Sequence, residues 1–437
     1  MSEIISIIVI VVALFFLCYL MMKGANIFVV AIGASLLMAI GGGLNIYSAL
    51  KVSYMTGFVD FIKNNFLIFV AGALMGKAYE ITNGAKSVAN LVIKGVGPKK
   101  AVLALPLIIG LMTYSGVVGF VVAFAVYPIV LEVFRKADLT RKLIPAVIIF
   151  GACTFSGFGP GNPQPTNVVI MNALHTSLMS GATIGFIALA ITLVTGELFL
   201  NLMIKRSKRR GEHFVARETD ITDEDARMPN GWLALFPLVL TLVVINIKIH
   251  GENIIPVEYG LALGAVLAYI LMRKYHSDKV SVMSHVGQAF WSAISSISNT
   301  SAMVAVGTVA AATVGFPLLI QGITSIPGPK LASVAVATNV LAAVAGGATG
   351  GVGLAAPILG KIYASTVSLG VLHRMMLIAS FGCGLLPYNG FVVTVINGIC
   401  KDTHKGTYGA VFLLGPLNIF ITTVVSVILF SLFPALP

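Results

Sequence analysis

The chain predicts an all-α polytopic membrane protein of about ten transmembrane helices plus two re-entrant helical hairpins, arranged as two inverted repeats. Three observations lead there. Only 10% of the 437 residues are charged, against about 25% in soluble domains, and the mean hydropathy is +0.97. Apolar runs such as Ile4–Met22 and Ile419–Phe433 are long enough to cross a bilayer and lack the alternation of barrel strands. Hydrocarbon cannot hydrogen-bond a backbone, so such runs must be helices.

The net charge of +12 does not indicate nucleic acid. Lys and Arg gather in short clusters between apolar runs, at Lys94–Lys100, Arg135–Lys142, Lys205–Arg210, Arg273–Lys274 and Lys401–Lys405. The positive-inside rule places such clusters in the cytoplasm. Cys18, Cys153, Cys383 and Cys400 lie in or beside apolar runs, with neither metal spacing nor a disulfide framework. Ile4–Met22 has no basic region before it and no small-residue cleavage pattern, so it reads as the first membrane helix and not a removed signal.

With every basic cluster on one side, the crossings can be counted. Residues 143–178 and 182–204 make one pair, and 231–248 and 256–272 another. Residues 101–134 are apolar, bounded by positive charge at both ends, and too short for two comfortable spans. Thr113-Tyr114-Ser115-Gly116 interrupts them, which suggests a hairpin entering and leaving on one side. A second hairpin, about 331–367, turns at Gly346-Gly347-Ala348-Thr349-Gly350-Gly351 and opens on the other side, leaving His373 and Arg374 external.

A broken helix follows each hairpin. The first, about 143–178, carries Gly159-Pro160-Gly161-Asn162-Pro163-Gln164-Pro165-Thr166-Asn167, and three prolines in six residues cannot continue a helix. The second, about 374–398, carries Leu386-Pro387-Tyr388-Asn389-Gly390. One further span ends each half. The halves, 1–204 and 231–437, flank a polar cytoplasmic linker, 205–230. Each half has an odd number of crossings, so the second is inverted; such repeats with paired breaks point to alternating access, with the site at the breaks.

Broken helices offer N-terminal amides and partial positive charge to anions. Substrate-binding candidates at the first tip are Tyr114, Ser115 and Gly116, and at the first break Asn162, Gln164, Thr166 and Asn167. At the second tip they are Thr349, Gly350 and Gly351, and at the second break Tyr388, Asn389 and Gly390. These suit a small carboxylate bearing hydroxyls; carbonyl ends would suit Na⁺. Proton carriage needs a titratable group at depth, for which Glu197 and His175 are candidates, each also readable as structural. Ser298-Asn299-Thr300 could line an ion site or simply bond neighbouring backbone.

The run Tyr114-Ser115-Gly116-Val117-Val118-Gly119-Phe120-Val121-Val122, continuing to Tyr127-Pro128, resembles the gluconate permease family. So do Leu143-Ile144-Pro145, Pro160-Gly161-Asn162-Pro163-Gln164, Ala348-Thr349-Gly350-Gly351 and Leu386-Pro387-Tyr388-Asn389-Gly390, where that family often has histidine at the place of Tyr388. The resemblance implies a symporter of the bacterial inner membrane that imports sugar acids or short hydroxy acids such as gluconate or 3-hydroxybutyrate. It implies H⁺ as the coupling ion, an elevator-like motion and a homodimer. The first break has no ionisable side chain, which keeps Na⁺ coupling open. The expected partners are a small organic anion and membrane lipids; no cofactor, metal or nucleic acid is expected. An intramembrane protease is disfavoured, because the Tyr114-Ser115-Gly116 tip lacks the glycine that precedes a rhomboid-type serine and no zinc or nucleophile-elbow motif is present. A passive channel could share the architecture and is separated from a carrier by ion-coupled flux.

Overall fold

The computed structural model describes residues 3–114, 119–155, 157–162, 164–217, 227–249, 252–253, 255–276, 280–324 and 329–433. In its first half the helices are α1 (Glu3–Met22), α2 (Ile27–Gly41), α3 (Ile46–Ser48), α4 (Met55–Ile81), α5 (Gly84–Val96), α6 (Pro98–Tyr114), α7 (Gly119–Lys136), α8 (Ile144–Ile149), α9 (Pro165–Leu174) and α10 (Ala182–Arg209). In the second they are α11 (Gly231–Asn246), α12 (Val257–Met272), α13 (Val282–Ala312), α14 (Phe316–Thr324), α15 (Lys330–Val344), α16 (Ala348–Tyr363), α17 (Leu369–Cys383), α18 (Gly390–Val393), α19 (His404–Phe412) and α20 (Asn418–Leu432). A two-residue antiparallel ribbon, Lys248–Ile249 with Glu252–Asn253, joins α11 to α12. The fold is all-α, as the long apolar runs require.

Several helices start where a polar side chain replaces the missing intrahelical acceptor. Asn26 accepts from the Phe28 amide at 3.0 Å, Asn230 from the Trp232 amide at 2.9 Å, and Ser281 from the Ser284 amide at 3.3 Å. Wider π-type turns at Ala49–Tyr54, Phe150–Thr154, Thr394–Ile399 and Leu413–Leu417 extend α3 into α4, α8, α18 and α19 into α20.

Among the described residues, five helical runs are long and apolar enough to cross a membrane: Glu3–Met22, Ile46–Ile81, Ala182–Arg209, Val282–Ala312 and His404–Leu432. A sixth is the pair Ser87–Val96 and Lys100–Tyr114, bent by 117°. Shorter apolar helices, including Ile27–Gly41 and Leu369–Cys383, fill the space between them. Apolar side chains on the long helices point outward, with Phe15 72% and Leu198 57% exposed, as lipid-facing surfaces do.

The two longest runs, through α4 and α13, pack along one another. Gly57 makes this contact close: a Cβ there would lie 2.6 Å from Thr308 Oγ1, and the Thr308 hydroxyl donates to the Ser53 carbonyl at 2.7 Å. Small residues at such crossings let backbones approach. Residues 48–65 and 305–328, which span-counting places loosely, divide accordingly: the first joins the α4 run, and the second ends α13 and forms α14 up to Thr324.

Candidate functional site

Helix formation stops after Thr154 and resumes at Pro165. Proline favours a first helical turn because its missing N–H would be unbonded there anyway. The break between is held by its own polar side chains. Asn162 Oδ1 accepts from the Gln164 amide at 2.8 Å, and the Asn162 carbonyl accepts from Asn167 Nδ2 at 2.7 Å. Gln164 Nε2 donates to the Thr113 carbonyl at 2.7 Å, and the Tyr114 hydroxyl donates to the Pro160 carbonyl. The end of α6 and the first break are thus one unit.

The second break, Gly384–Asn389, is tied to the α15–α16 turn in the same manner. Asn389 caps α18 by accepting from the Val392 amide at 3.0 Å, while its Nδ2 donates to the Gly346 carbonyl at 2.9 Å. The Tyr388 hydroxyl donates to the Ala343 carbonyl at 2.8 Å. Thr300 supports this break from α13, bonding the Gly390 carbonyl at 3.1 Å and the Thr394 hydroxyl at 2.6 Å. Of the Ser298-Asn299-Thr300 run, Thr300 therefore bonds neighbouring backbone.

The two units meet at Thr166 and Thr349, whose hydroxyls lie 2.7 Å apart. Thr166 is in the first turn of α9 and Thr349 in the first turn of α16. Two helix N-termini from different halves of the chain therefore converge, bringing their partial positive charge to one place. Thr349 and Gly350 are exposed there, and Thr166 is buried beneath them. Asn389 adjoins this point, since a Cβ on Gly347 would lie 3.2 Å from its Nδ2.

The remaining candidates separate from this cluster. A Cβ on Gly351 would lie 2.4 Å from Ala342 Cα, so its place is the close contact of α16 with α15. Gly390 serves α18 against α13 likewise, 2.4 Å from Thr300 Cγ2. His175 caps the end of α9 with a left-handed backbone, φ 52°, and is exposed. Glu197 lies along α10, and its Oε1 is buried without a hydrogen-bond partner. Ser115 and Gly116 lie outside the described residues.

Two residues expected near the external side are fully buried in the protein. His373 and Arg374 belong to α17 and are 0% exposed. His373 Nε2 lies 2.5 Å from Asn167 Oδ1 and Nδ1 2.6 Å from the Thr176 hydroxyl. Because Asn167 Nδ2 is committed to a carbonyl, its Oδ1 is the acceptor and the histidine carries its proton on Nε2. Arg374 donates from Nη1 to the Phe158 carbonyl at 2.7 Å, from Nη2 to Leu178 at 2.9 Å and to Ser180 at 2.7 Å, and from Nε to Ser180 at 2.9 Å. Among the described residues no carboxylate pairs with it. The signal in the sequence was the His-Arg pair itself, two ionisable groups inside an apolar run, which marks function before it marks a loop.

The linker is partly docked. Asp138 accepts from His213 Nδ1 at 2.7 Å and from the Phe214 amide at 3.1 Å. The His213 hydrogen bond, then that of Phe214, holds the Asp138 carboxyl below its usual value. Arg217 donates to the carbonyls of Cys400 at 2.8 Å and Lys401 at 2.7 Å and to Asp402 Oδ2 at 3.0 Å.

Comparison with known proteins places the chain in a family. Residues 4–271 match the model of the GntP family permease. An uncharacterized transporter of Bacillus subtilis, YxjC, is 30% identical, the match covering 84% of this chain and 86% of that one. An uncharacterized transporter of Haemophilus influenzae is 28% identical over 47% of each chain. A gluconate permease of Bacillus subtilis is 24% identical over 47% of this chain and 46% of its own. A family match over more than half the chain, with a transporter similar along most of its length, makes this all-helical membrane protein a transporter of the GntP permease family.

Proposed function

We propose that the protein is a symporter of the bacterial inner membrane that imports a small organic anion, a gluconate-like sugar acid or a short hydroxy acid such as 3-hydroxybutyrate. The observation that carries this reading is the convergence of the α9 and α16 N-termini at Thr166 and Thr349. Each helix end favours an anion by about 0.3–2 kcal/mol. The hydroxyls beside them suit a hydroxylated carboxylate. The Bacillus subtilis relative named a gluconate permease supports the substrate class.

Alternating access rests on the order of elements. Long α4 and α13 stand at corresponding places in the two halves, as do the pairs α6–α7 and α15–α16 and the two broken helices after them. In this reading the halves are inverted repeats, the helix pairs are re-entrant hairpins, and α4 and α13 belong to a scaffold against which the breaks move as an elevator. The dimer expected for such scaffolds is part of the proposal.

Protons are the proposed coupling ion. His373, bonded to Asn167 of the first break, is the proposed carrier, and Glu197 with its oxygen unpartnered among the described residues is a second. Na⁺ coupling is the second reading, favoured by the hydroxyl pair Thr166–Thr349, which presents no carboxylate to be protonated. Reconstituted protein given labelled gluconate or 3-hydroxybutyrate under separate proton and Na⁺ gradients decides between them. Uptake that follows neither gradient would overturn symport.

A further inference from the structure

A cavity of about 530 Å³ opens between α4, α7, α13 and the turn Cys400–Thr403, apart from the helix breaks. Its size is that of a small-molecule site. The acids in its wall are already neutralised. Glu80 accepts from Lys77 at 2.9 Å, and Glu132 accepts from Arg135 at 2.8 and 3.0 Å. Lys401, also in the wall, makes no ion pair among the described residues. Three cations against two carboxylates leave the wall one positive charge in excess.

This excess is built by the fold. The acid beside Lys401 is Asp402, and it is engaged elsewhere: Arg217 donates to Oδ2 at 3.0 Å and the Thr403 amide to Oδ1 at 2.9 Å. Arg217 also grips the Cys400 and Lys401 carbonyls. Lys401 is held at φ 52°, a conformation uncommon for a residue with a side chain. Strain of this kind persists where the surroundings enforce it and gathers at functional positions. Gln288, Ser292 and Trp291 of α13 complete a wall with an amide, a hydroxyl and an indole face.

The cavity leads toward the second break. Phe124 in its wall meets Phe69 with ring centroids 6.1 Å apart. Phe69 lies 4.7 Å from Phe120, and Phe120 lies 5.0 Å from Phe391, the second residue after Asn389. A chain of rings in edge-on and tilted contact thus runs from the cavity to the break.

We infer that this cavity is a second anion site, a vestibule in which Lys401 holds the carboxylate of a hydroxylated organic acid while Gln288 and Ser292 meet its hydroxyls. The inference rests on the anion-transport reading and adds to it a binding step outside the helix breaks.

Trp291 lines the cavity, and the chain has two tryptophans, so Trp232→Phe leaves Trp291 as the sole reporter. In purified full-length W232F protein, gluconate is expected to shield Trp291 from acrylamide quenching with saturation, and glucose, which has no charge, is not. Lys401→Gln should weaken that affinity about tenfold, the worth of one charge-assisted hydrogen bond, and Lys401→Arg should recover most of it. Gluconate uptake into liposomes is measured alongside. Uptake without shielding, or shielding undiminished in K401Q, overturns the vestibule and leaves the transport reading standing. Neither uptake nor shielding overturns the gluconate reading and the vestibule with it.

Discussion

Arg374 of α17 and Ser180 of the loop before α10 share two hydrogen bonds, at 2.7 and 2.9 Å, across 194 residues of sequence. With the Phe158 and Leu178 carbonyls, this guanidinium fastens the first break to a helix of the second half. The breaks would otherwise carry unbonded carbonyls at depth, each costing about 1–3 kcal/mol.

Arg374→Met should therefore be among the most damaging single changes. It removes the donors of three carbonyls, and a loss of about 3 kcal/mol or more is expected. Arg374→Lys keeps the charge without the planar fork and should fall between. Thermal unfolding of the purified variants in detergent checks the order; equal melting temperatures for all three proteins would remove the fastening role.

Thr349→Val should fold and lose uptake. Its hydroxyl bonds Thr166 and stands exposed at the helix ends, so its loss should cost about 1 kcal/mol of stability and at least about tenfold in transport. Asn389→Leu should also abolish uptake, through release of the Gly346 carbonyl. Normal transport by both variants would place the site elsewhere.

Gly351→Val tests packing and not binding. The added side chain meets Ala342 Cα at 2.4 Å, where backbone cannot yield cheaply, and overpacking of this kind costs about 1–3 kcal/mol. The melting temperature should fall. Unchanged stability with lost uptake would return Gly351 to the substrate-binding set.

Docking of the linker should depend on pH through Asp138. Its folded value lies below the ordinary 3.8, so the contribution is present above that value and is lost as pH falls through the lower folded one. Amide protection at residues 212–217, relative to the intrinsic exchange rate at each pH, should be high near neutral pH and fall below about pH 4. Asp138→Asn should lower this protection at neutral pH as well. Exchange that ignores both would mean that Arg217 alone holds the linker.

Much of this architecture is written in local chemistry. Charge scarcity and long apolar runs require helices, because lipid leaves no other way to bond the backbone. Prolines 160, 163 and 165 forbid a helix through the first break, and the glycines at 346 and 347 with Pro387 mark the second unit. Family membership was legible in motifs spread from Tyr114 to Gly390.

What only the tertiary structure decided is which groups meet. No local pattern says that Thr166 finds Thr349, or that Gly351 and Gly390 sit at close contacts with α15 and α13. Counting crossings made the second hairpin open on the external side and so left His373 and Arg374 external, against the positive-inside rule. What the count does not give is their burial: a guanidinium can be satisfied inside the protein when its donors reach carbonyls of a distant break, and such partners lie about 200 residues away in the chain.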